Sequence, residues 1–258
     1  MDLGLAGRHA IVCASSRGLG LACADSLARE GVHVTLNGRT GESLAAAADH
    51  VRRHGTQVQV VAGDITLEST RVALLERCPA PDILVNNNAG PPPGRFADWQ
   101  RDDWMAALDS NMLAPLAMIR AVLDGMVQRR FGRIVNITSA MVKTPVAPMG
   151  LSTGARAGLT AVAKALSKDV ARANVTINNL LPERIDTDRQ RQMAHLHASS
   201  AGITVEAAYE HMAKSIAARR LGRPDEFGDA CAFLCSAQAG YISGQNLQLD
   251  GGSYGGLV

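Results

Sequence analysis

Runs of aliphatic and β-branched residues recur along the chain at 10–13, 32–36, 57–62, 83–86, 133–138, 175–180 and 246–249. Between them lie longer stretches rich in alanine and leucine, at 18–30, 41–54, 67–77, 100–130, 153–173 and 224–236. Strands that are apolar at successive positions are covered on both faces, as parallel strands are. Their alternation with helices makes βαβ units, and right-handed crossovers wind such units into one sheet with helices on both sides. The pattern therefore predicts an α/β fold, a doubly wound Rossmann-type parallel sheet of about seven strands. No linker or repeat divides it, so a single domain over 1–258 is expected.

Two connections break the rhythm. Pro91-Pro92-Pro93-Gly94 follows the fourth strand and reads as a stiff extended segment. The stretch 187–223 is too long for a connector and is polar in patches, with Arg189, Gln190, Arg191, Gln192, His195 and His197. A capped helical stretch begins at Thr204. Segments of this length in compact folds serve as lids or binding loops, so a substrate lid is expected here.

Composition narrows the function classes. A net charge of +2 and 3% aromatic residues supply neither an electrostatic footprint for polyanions nor stacking platforms, which argues against nucleic acid. The five cysteines, Cys13, Cys23, Cys78, Cys231 and Cys235, include no CxxC pair. They read as buried thiols in a reducing compartment. With no signal-like start and no apolar run near the ~18 residues of a membrane span, a cytoplasmic protein without membrane contact is expected.

The first chemical motif follows the first strand. Ser15-Ser16-Arg17-Gly18-Leu19-Gly20 opens a helix, and small residues there let a backbone approach a pyrophosphate at the helix N-terminus. A lone Gly-Leu-Gly also suits any tight strand-to-helix turn. The second strand ends in Asn37-Gly38-Arg39. NAD-specific sites commonly place a carboxylate at that corner, whereas arginine accommodates a 2′-phosphate. Arg17 and Arg39 with uncharged Asn37 favour NADP(H), although either arginine could simply be solvated.

These motifs, with Asp64-Ile65, the run Asn86-Asn87-Asn88-Ala89-Gly90, the segment Pro182-Glu183-Arg184-Ile185-Asp186-Thr187 and the C-terminal Asp250-Gly251-Gly252, resemble the short-chain dehydrogenase/reductase family. The match runs from about residue 5 to 252 and is nearest to 3-oxoacyl-acyl-carrier-protein reductase-like members. The resemblance implies strand order 3-2-1-4-5-6-7, an NADP(H) cofactor, a small carbonyl or acyl substrate and a homotetramer or homodimer. It implies cofactor contacts from Ser15–Gly20, Asn37, Arg39, Asp64, Ile65, Asn87, Asn88, Ala89, Gly90, Pro182, Ile185 and Thr187. Counting from Asp82 would place Asn86 and Asn87 in the site instead of Asn87 and Asn88.

The family reduces carbonyls with an asparagine, serine, tyrosine and lysine. Asn111 and Ser139 match the first two. Thirteen positions beyond Ser139 the family has its tyrosine, and four further its lysine; this chain has Ser152 and Arg156. YxxxK has become SxxxR. The tyrosines, Tyr209, Tyr241 and Tyr254, all lie beyond that helix. A serine hydroxyl is a far weaker acid than a phenol, and arginine cannot relay protons. Loss of a general acid costs roughly 10²–10⁴ in rate. Two further departures are Ala14 in place of the first loop glycine and Glu183 after Pro182.

Replacement donors are Lys143, Tyr209, His195, His197 and His211, each otherwise an ordinary solvated side chain. The lid histidines lack the ligand spacing of a metal site, and none is expected. Three readings stay open: an NADP(H)-dependent reductase with an altered donor, a non-redox enzyme such as a dehydratase or isomerase using Ser139, Lys143 or Glu183, and a catalytically silent binding or assembly protein.

Overall fold

A computed structural model describes residues 1–257. Seven strands, β1 (His9–Val12), β2 (His33–Gly38), β3 (Val58–Ala62), β4 (Ile83–Asn86), β5 (Gly132–Ile137), β6 (Val175–Pro182) and β7 (Asn246–Leu249), form one sheet in the order 3-2-1-4-5-6-7. Every pairing is parallel. The α/β expectation and the strand order both hold.

Side chains alternate between two apolar layers, as strand geometry dictates. Ala10 and Val12 of β1 pack with α1 (Gly18–Arg29), α2 (Gly41–Arg52) and α9 (Pro224–Cys235). Ile11 and the following Cys13 face the other way, toward α3 (Glu68–Arg77), α5 (Ala114–Arg129) and α6 (Gly150–Val170). Each fully buried aliphatic side chain contributes roughly 1.5–3 kcal/mol. The five cysteines are buried free thiols, placed within these layers as small hydrophobes.

A buried polar row crosses four strands. Asn86 Nδ2 donates to Asn136 Oδ1 (2.9 Å), Asn136 Nδ2 to Asn179 Oδ1 (3.0 Å), and Asn179 Nδ2 to Asn246 Oδ1 (2.7 Å). These residues are direct register partners across β4, β5, β6 and β7. Asn86 is thereby committed to the sheet interior, whereas Asn87 and Asn88 point outward and line the cavity at the strand ends.

Three expectations about helices need correction. The stretch 100–130 is not one α-helix: α4 (Arg101–Leu108) passes through a π turn (Asp109–Leu113) into α5. Contrary to expectation, Arg101–Arg129 is long and apolar enough, by length and composition alone, to cross a membrane. In the fold α5 buries Met118, Ile119, Val122 and Met126 within the second apolar layer. The sixth helix starts earlier than expected, at Gly150, and gives way after Val170 to a 3-10 turn, Ala171–Ala173. The 187–223 segment holds two helices where one was foreseen, α7 (Asp188–Ala201) and α8 (Val205–Lys214), which bury Ala194, Ala198, Ala208 and Met212 between them. Thr204 caps α8 as its position suggested, its Oγ1 accepting from Ala207 N.

Candidate active site

The C-terminal ends of the strands open into a cavity of about 920 Å³. Crevices at this edge, where strand order reverses, are where doubly wound sheets bind ligands. One half is built by the loops after β1, β2 and β3. The other is built by the ends of β5 and β6, the start of α6, and the lid.

In the first half, Ser16, Arg17, Gly18 and Leu19 line the cavity, with Asn37, Arg39, Asp64 and Ile65. Ser15 and Gly20 do not line it, against expectation; they shape the loop. Ser15 Oγ is fully buried, donates to Val12 O (2.7 Å) and accepts from Asn37 N (3.1 Å). A Cβ at Gly20 would stand 2.4 Å from Ala14 O and 2.9 Å from Asn87 Nδ2, so only glycine fits. Ala14 sits at φ +44°, a left-handed conformation that costs an L-residue roughly 1–2 kcal/mol. The family's glycine at this place would carry no such strain.

Asn37 is buried at the centre of this half. Its Nδ2 donates to Val61 O (3.2 Å) and Gly63 O (3.1 Å), and its Oδ1 accepts from Ala14 N (3.3 Å). It therefore ties three loops together as well as bordering the cavity. Asp64 accepts from Thr66 N and Thr66 Oγ1, and these bonds hold its carboxyl below the usual range, with a smaller contribution from Arg39. Arg17 and Arg39 are exposed along the rim.

Asn87, Asn88, Ala89 and Gly90 form the floor between the halves. Asn87 Nδ2 donates to Ala14 O (3.1 Å) and Asn88 Nδ2 to Ser110 O (3.1 Å). Asn111, in the π turn, is buried and does not reach the cavity as expected of a catalytic position. Its Nδ2 donates to Ala89 O (3.3 Å) and Ser110 Oγ (2.7 Å), so it positions the floor from beneath.

In the second half Ser139, Ser152 and Arg156 come together as foreseen. Ser139 Oγ accepts from Met141 N (3.2 Å). Arg156 is only 8% exposed. Its Nη1 donates to Ile137 O (2.8 Å) and Thr138 O (2.7 Å), and its Nη2 to Asn88 O (3.2 Å). The guanidinium thus clamps the end of β5 to the floor, while its Nε has no partner. Burial, with Arg189 adding to it, pushes the Arg156 pKa down to about 10.

Pro182, Ile185 and Thr187 also line the cavity, together with Glu183 and Arg184. Glu183 lies beside Arg184 (4.0 Å). Burial raises its carboxyl above the usual range despite that neighbour, and Asp250 adds to the rise. From the lid, Arg189 Nη2 donates to Pro91 O (3.2 Å), bridging α7 to the proline-rich loop. Gln190, Gln192, Met193 and Met212 complete the lid side.

The other donor candidates are placed elsewhere. Lys143 Nζ rests over the Tyr254 ring at 5.0 Å and is not among the lining residues. Tyr209 meets Asp186 and Arg191 instead of the cavity. His195, His197 and His211 are exposed; the rings of His197 and His211 lie 6.1 Å apart. Among the described residues no group of three or more His, Cys, Asp or Glu could hold a metal.

Comparison with known proteins places this geometry. The family described as Enoyl-(Acyl carrier protein) reductase matches residues 13–254, so the chain belongs to that branch of the short-chain dehydrogenase/reductases. It is 31% identical to the NADPH-dependent reductase BacG of Bacillus subtilis over 252 residues, covering 95% of this chain and 97% of that protein. It is 30% identical to the 3-oxoacyl-[acyl-carrier-protein] reductase FabG of Vibrio harveyi, covering 98% and 99%. The solved L-sorbose reductase of Gluconobacter frateurii, complexed with NADPH and L-sorbose, superposes with a TM-score of 0.95 at 27% identity over 100% of both chains.

Proposed function

We propose that the chain is an NADP(H)-dependent oxidoreductase acting on a 3-oxoacyl or related carbonyl or hydroxyl compound, with a proton donor other than a phenol. One observation carries this reading. A single cavity joins the loop and rim arginines of one half to Ser139, Ser152 and Arg156 of the other. The NADPH dependence of BacG and the NADPH held by the sorbose reductase support it.

The residues present fit the dinucleotide. The N–H groups at the start of α1 face a pyrophosphate site, and the tight packing at Gly20 keeps the backbone close. Arg17 and Arg39 suit a 2′-phosphate by charge and fork geometry. Asn87–Gly90 and the residues of Pro182–Thr187 that line the cavity would hold the nicotinamide end. The reduced cofactor supplies a hydride to the carbonyl carbon.

The protein must then hold the carbonyl oxygen and deliver a proton to it. Ser139 Oγ is the hydroxyl placed to hold it. Among the acidic lining residues, Glu183 is the one whose carboxyl burial raises above the usual range, and the donor role is assigned to it. Transfer of its proton gives the alcohol and leaves a carboxylate, which solvent at the cavity mouth reprotonates. The test is NADPH oxidation across a panel of carbonyl compounds, beside NADPH and NADH binding titrations. Glu183→Gln should bind NADPH normally and turn over at least 10²-fold slower. Absence of turnover with every carbonyl tried would reject the reductase reading.

A second reading rests on Arg156. Backbone carbonyls take three of its five N–H groups, so it has less to offer a ribose than a free lysine ammonium would. That favours non-redox chemistry or a binding role on the same scaffold. Substrate conversion without change at the nicotinamide absorbance band would select the former. NADPH binding without any conversion would select the latter.

A further inference from the structure

Charge is unevenly distributed in the cavity. Its lining contains Arg17, Arg39, Arg156, Arg184 and Arg189 against Asp64, Glu183 and Asp188. Each of the acids is engaged: Asp64 by Thr66, Glu183 beside Arg184, and Asp188 near Arg191 at 3.6 Å. Arg17 and Arg39 lie at the far rim, beside the ends of β1 and β2. In the substrate half, Arg156 and Arg189 have only backbone carbonyls as partners.

A buried guanidinium without an anion is costly, because carbonyl dipoles compensate only part of the lost hydration. Arg156 is nine-tenths buried, its Nε is unpartnered, and the charge it feels most from a side chain is the like charge of Arg189. Gly90 leaves room beside it: a Cβ there would stand 3.5 Å from Arg156 Nη2 and 3.6 Å from Ser152 Oγ. Arg189 itself lies in the first turn of α7, where the helix dipole adds positive potential.

We propose that Arg156 and Arg189 form a subsite for the carboxylate of the substrate, so that the enzyme takes a small organic acid whose remaining chain is apolar. The claim rests on the functional reading above only in calling the ligand a substrate; the subsite itself is independent of turnover. Carbonyls take three of the five N–H groups of Arg156 and one of those of Arg189, so the pair keeps donors for an anion. The apolar side chains that adjoin the pair favour a singly charged carboxylate over a more highly charged phosphate, whose burial costs more. Met141, Val146, Met149, Met193 and Met212 offer the apolar surroundings for the chain.

The test is calorimetric titration of the whole protein with octanoate, octanamide and inorganic phosphate, each with and without saturating NADPH. Octanoate should bind at least tenfold tighter than octanamide, the difference expected for one charge-assisted contact. Arg189→Gln should remove most of that preference and leave octanamide unchanged. Arg156→Met risks unfolding, since the guanidinium joins three backbone segments; Arg156→Lys retains the charge and should keep part of the preference. Equal binding of acid and amide, no binding of either, phosphate binding as tightly as octanoate, or an unaltered preference in Arg189→Gln would each overturn the proposal. Selective octanoate binding in a protein that never oxidises NADPH would leave the subsite standing and remove the reductase reading.

Discussion

The two halves of the cavity lie on the same sheet edge yet depend on different parts of the chain. Around β1 and β2 the geometry is made by backbone and one buried amide: Gly20 because nothing larger fits, Ala14 held in a strained conformation, and the Asn37 side chain bonding the loop after β1 to the end of β3. Around β5 and β6 it is made by side chains, chiefly Ser139, Ser152, Arg156 and Glu183. Backbone cradles tolerate little change because every residue of the turn shares the strain. The side chains of Ser152 and Arg156 are carried one helical turn apart on α6, outside the sheet itself. The contrast allows a chain to keep a dinucleotide architecture while the side chains at positions such as 152 and 156 vary.

The most forceful way to break this contrast is to restore the missing pair. Ser152→Tyr with Arg156→Lys should raise carbonyl reduction roughly 10²–10⁴-fold, the usual contribution of a positioned general acid, measured as NADPH oxidation. If the double variant binds NADPH yet gains nothing, the halves are not separable as described. The complementary change is Gly20→Ala. Its methyl would collide with Ala14 O and Asn87 Nδ2, so it should destabilise the fold by about 1–3 kcal/mol and weaken NADPH binding, read by Tm and by titration. Unaltered Tm and affinity would show that the loop is looser than its packing implies.

Glu183 offers a pH-resolved distinction. Its carboxyl is raised in the folded state, so the native protein favours the protonated form. Its stabilising contribution is full below the ordinary glutamate range and is lost as pH rises through the elevated folded pKa. Glu183→Gln should therefore raise Tm at pH 8 relative to the parent, with the gain shrinking toward pH 4. A gain largest at pH 4 would reverse the assignment. The smallest expected effect is Ala14→Gly: relief of roughly 1–2 kcal/mol of left-handed strain, offset by about 0.4–1 kcal/mol of added unfolded-chain freedom. A modest net rise in Tm should result; a fall would show that the φ of Ala14 is not strained.

Much of this architecture was legible before any coordinates. Continuous apolar strands and their alternation with helices foretold the parallel sheet, and counting from Ser139 singled out Ser152 and Arg156, which line the same cavity. What could not be read were features depending on partners distant in sequence. The commitment of Arg156 to carbonyls at 88, 137 and 138 is invisible in a one-dimensional pattern. So is the role of Asn111 beneath Ala89, because the π turn that turns it inward sits within an unbroken helical periodicity. Helix α7 was missed for another reason: its exposed face is polar, and only Ala194 and Ala198 are buried. Lys143 seemed near the site by sequence position, but Tyr254, from the opposite end of the chain, holds it aside.

The row of asparagines has a consequence for how the chain reaches this fold. Parallel strands are joined through long crossovers, so each pairing closes a costly loop and forms slowly. A strand that docks one residue out of step turns its side chains to the wrong face. Here such a slip would also strand an amide inside the sheet, at roughly 1–3 kcal/mol for the unmet donor or acceptor. Asn86, Asn136, Asn179 and Asn246 are spread over some 160 residues of chain, from β4 to the final strand. The row therefore couples the registers of β4, β5, β6 and β7, because a slip at any one pairing breaks the amide bond across it.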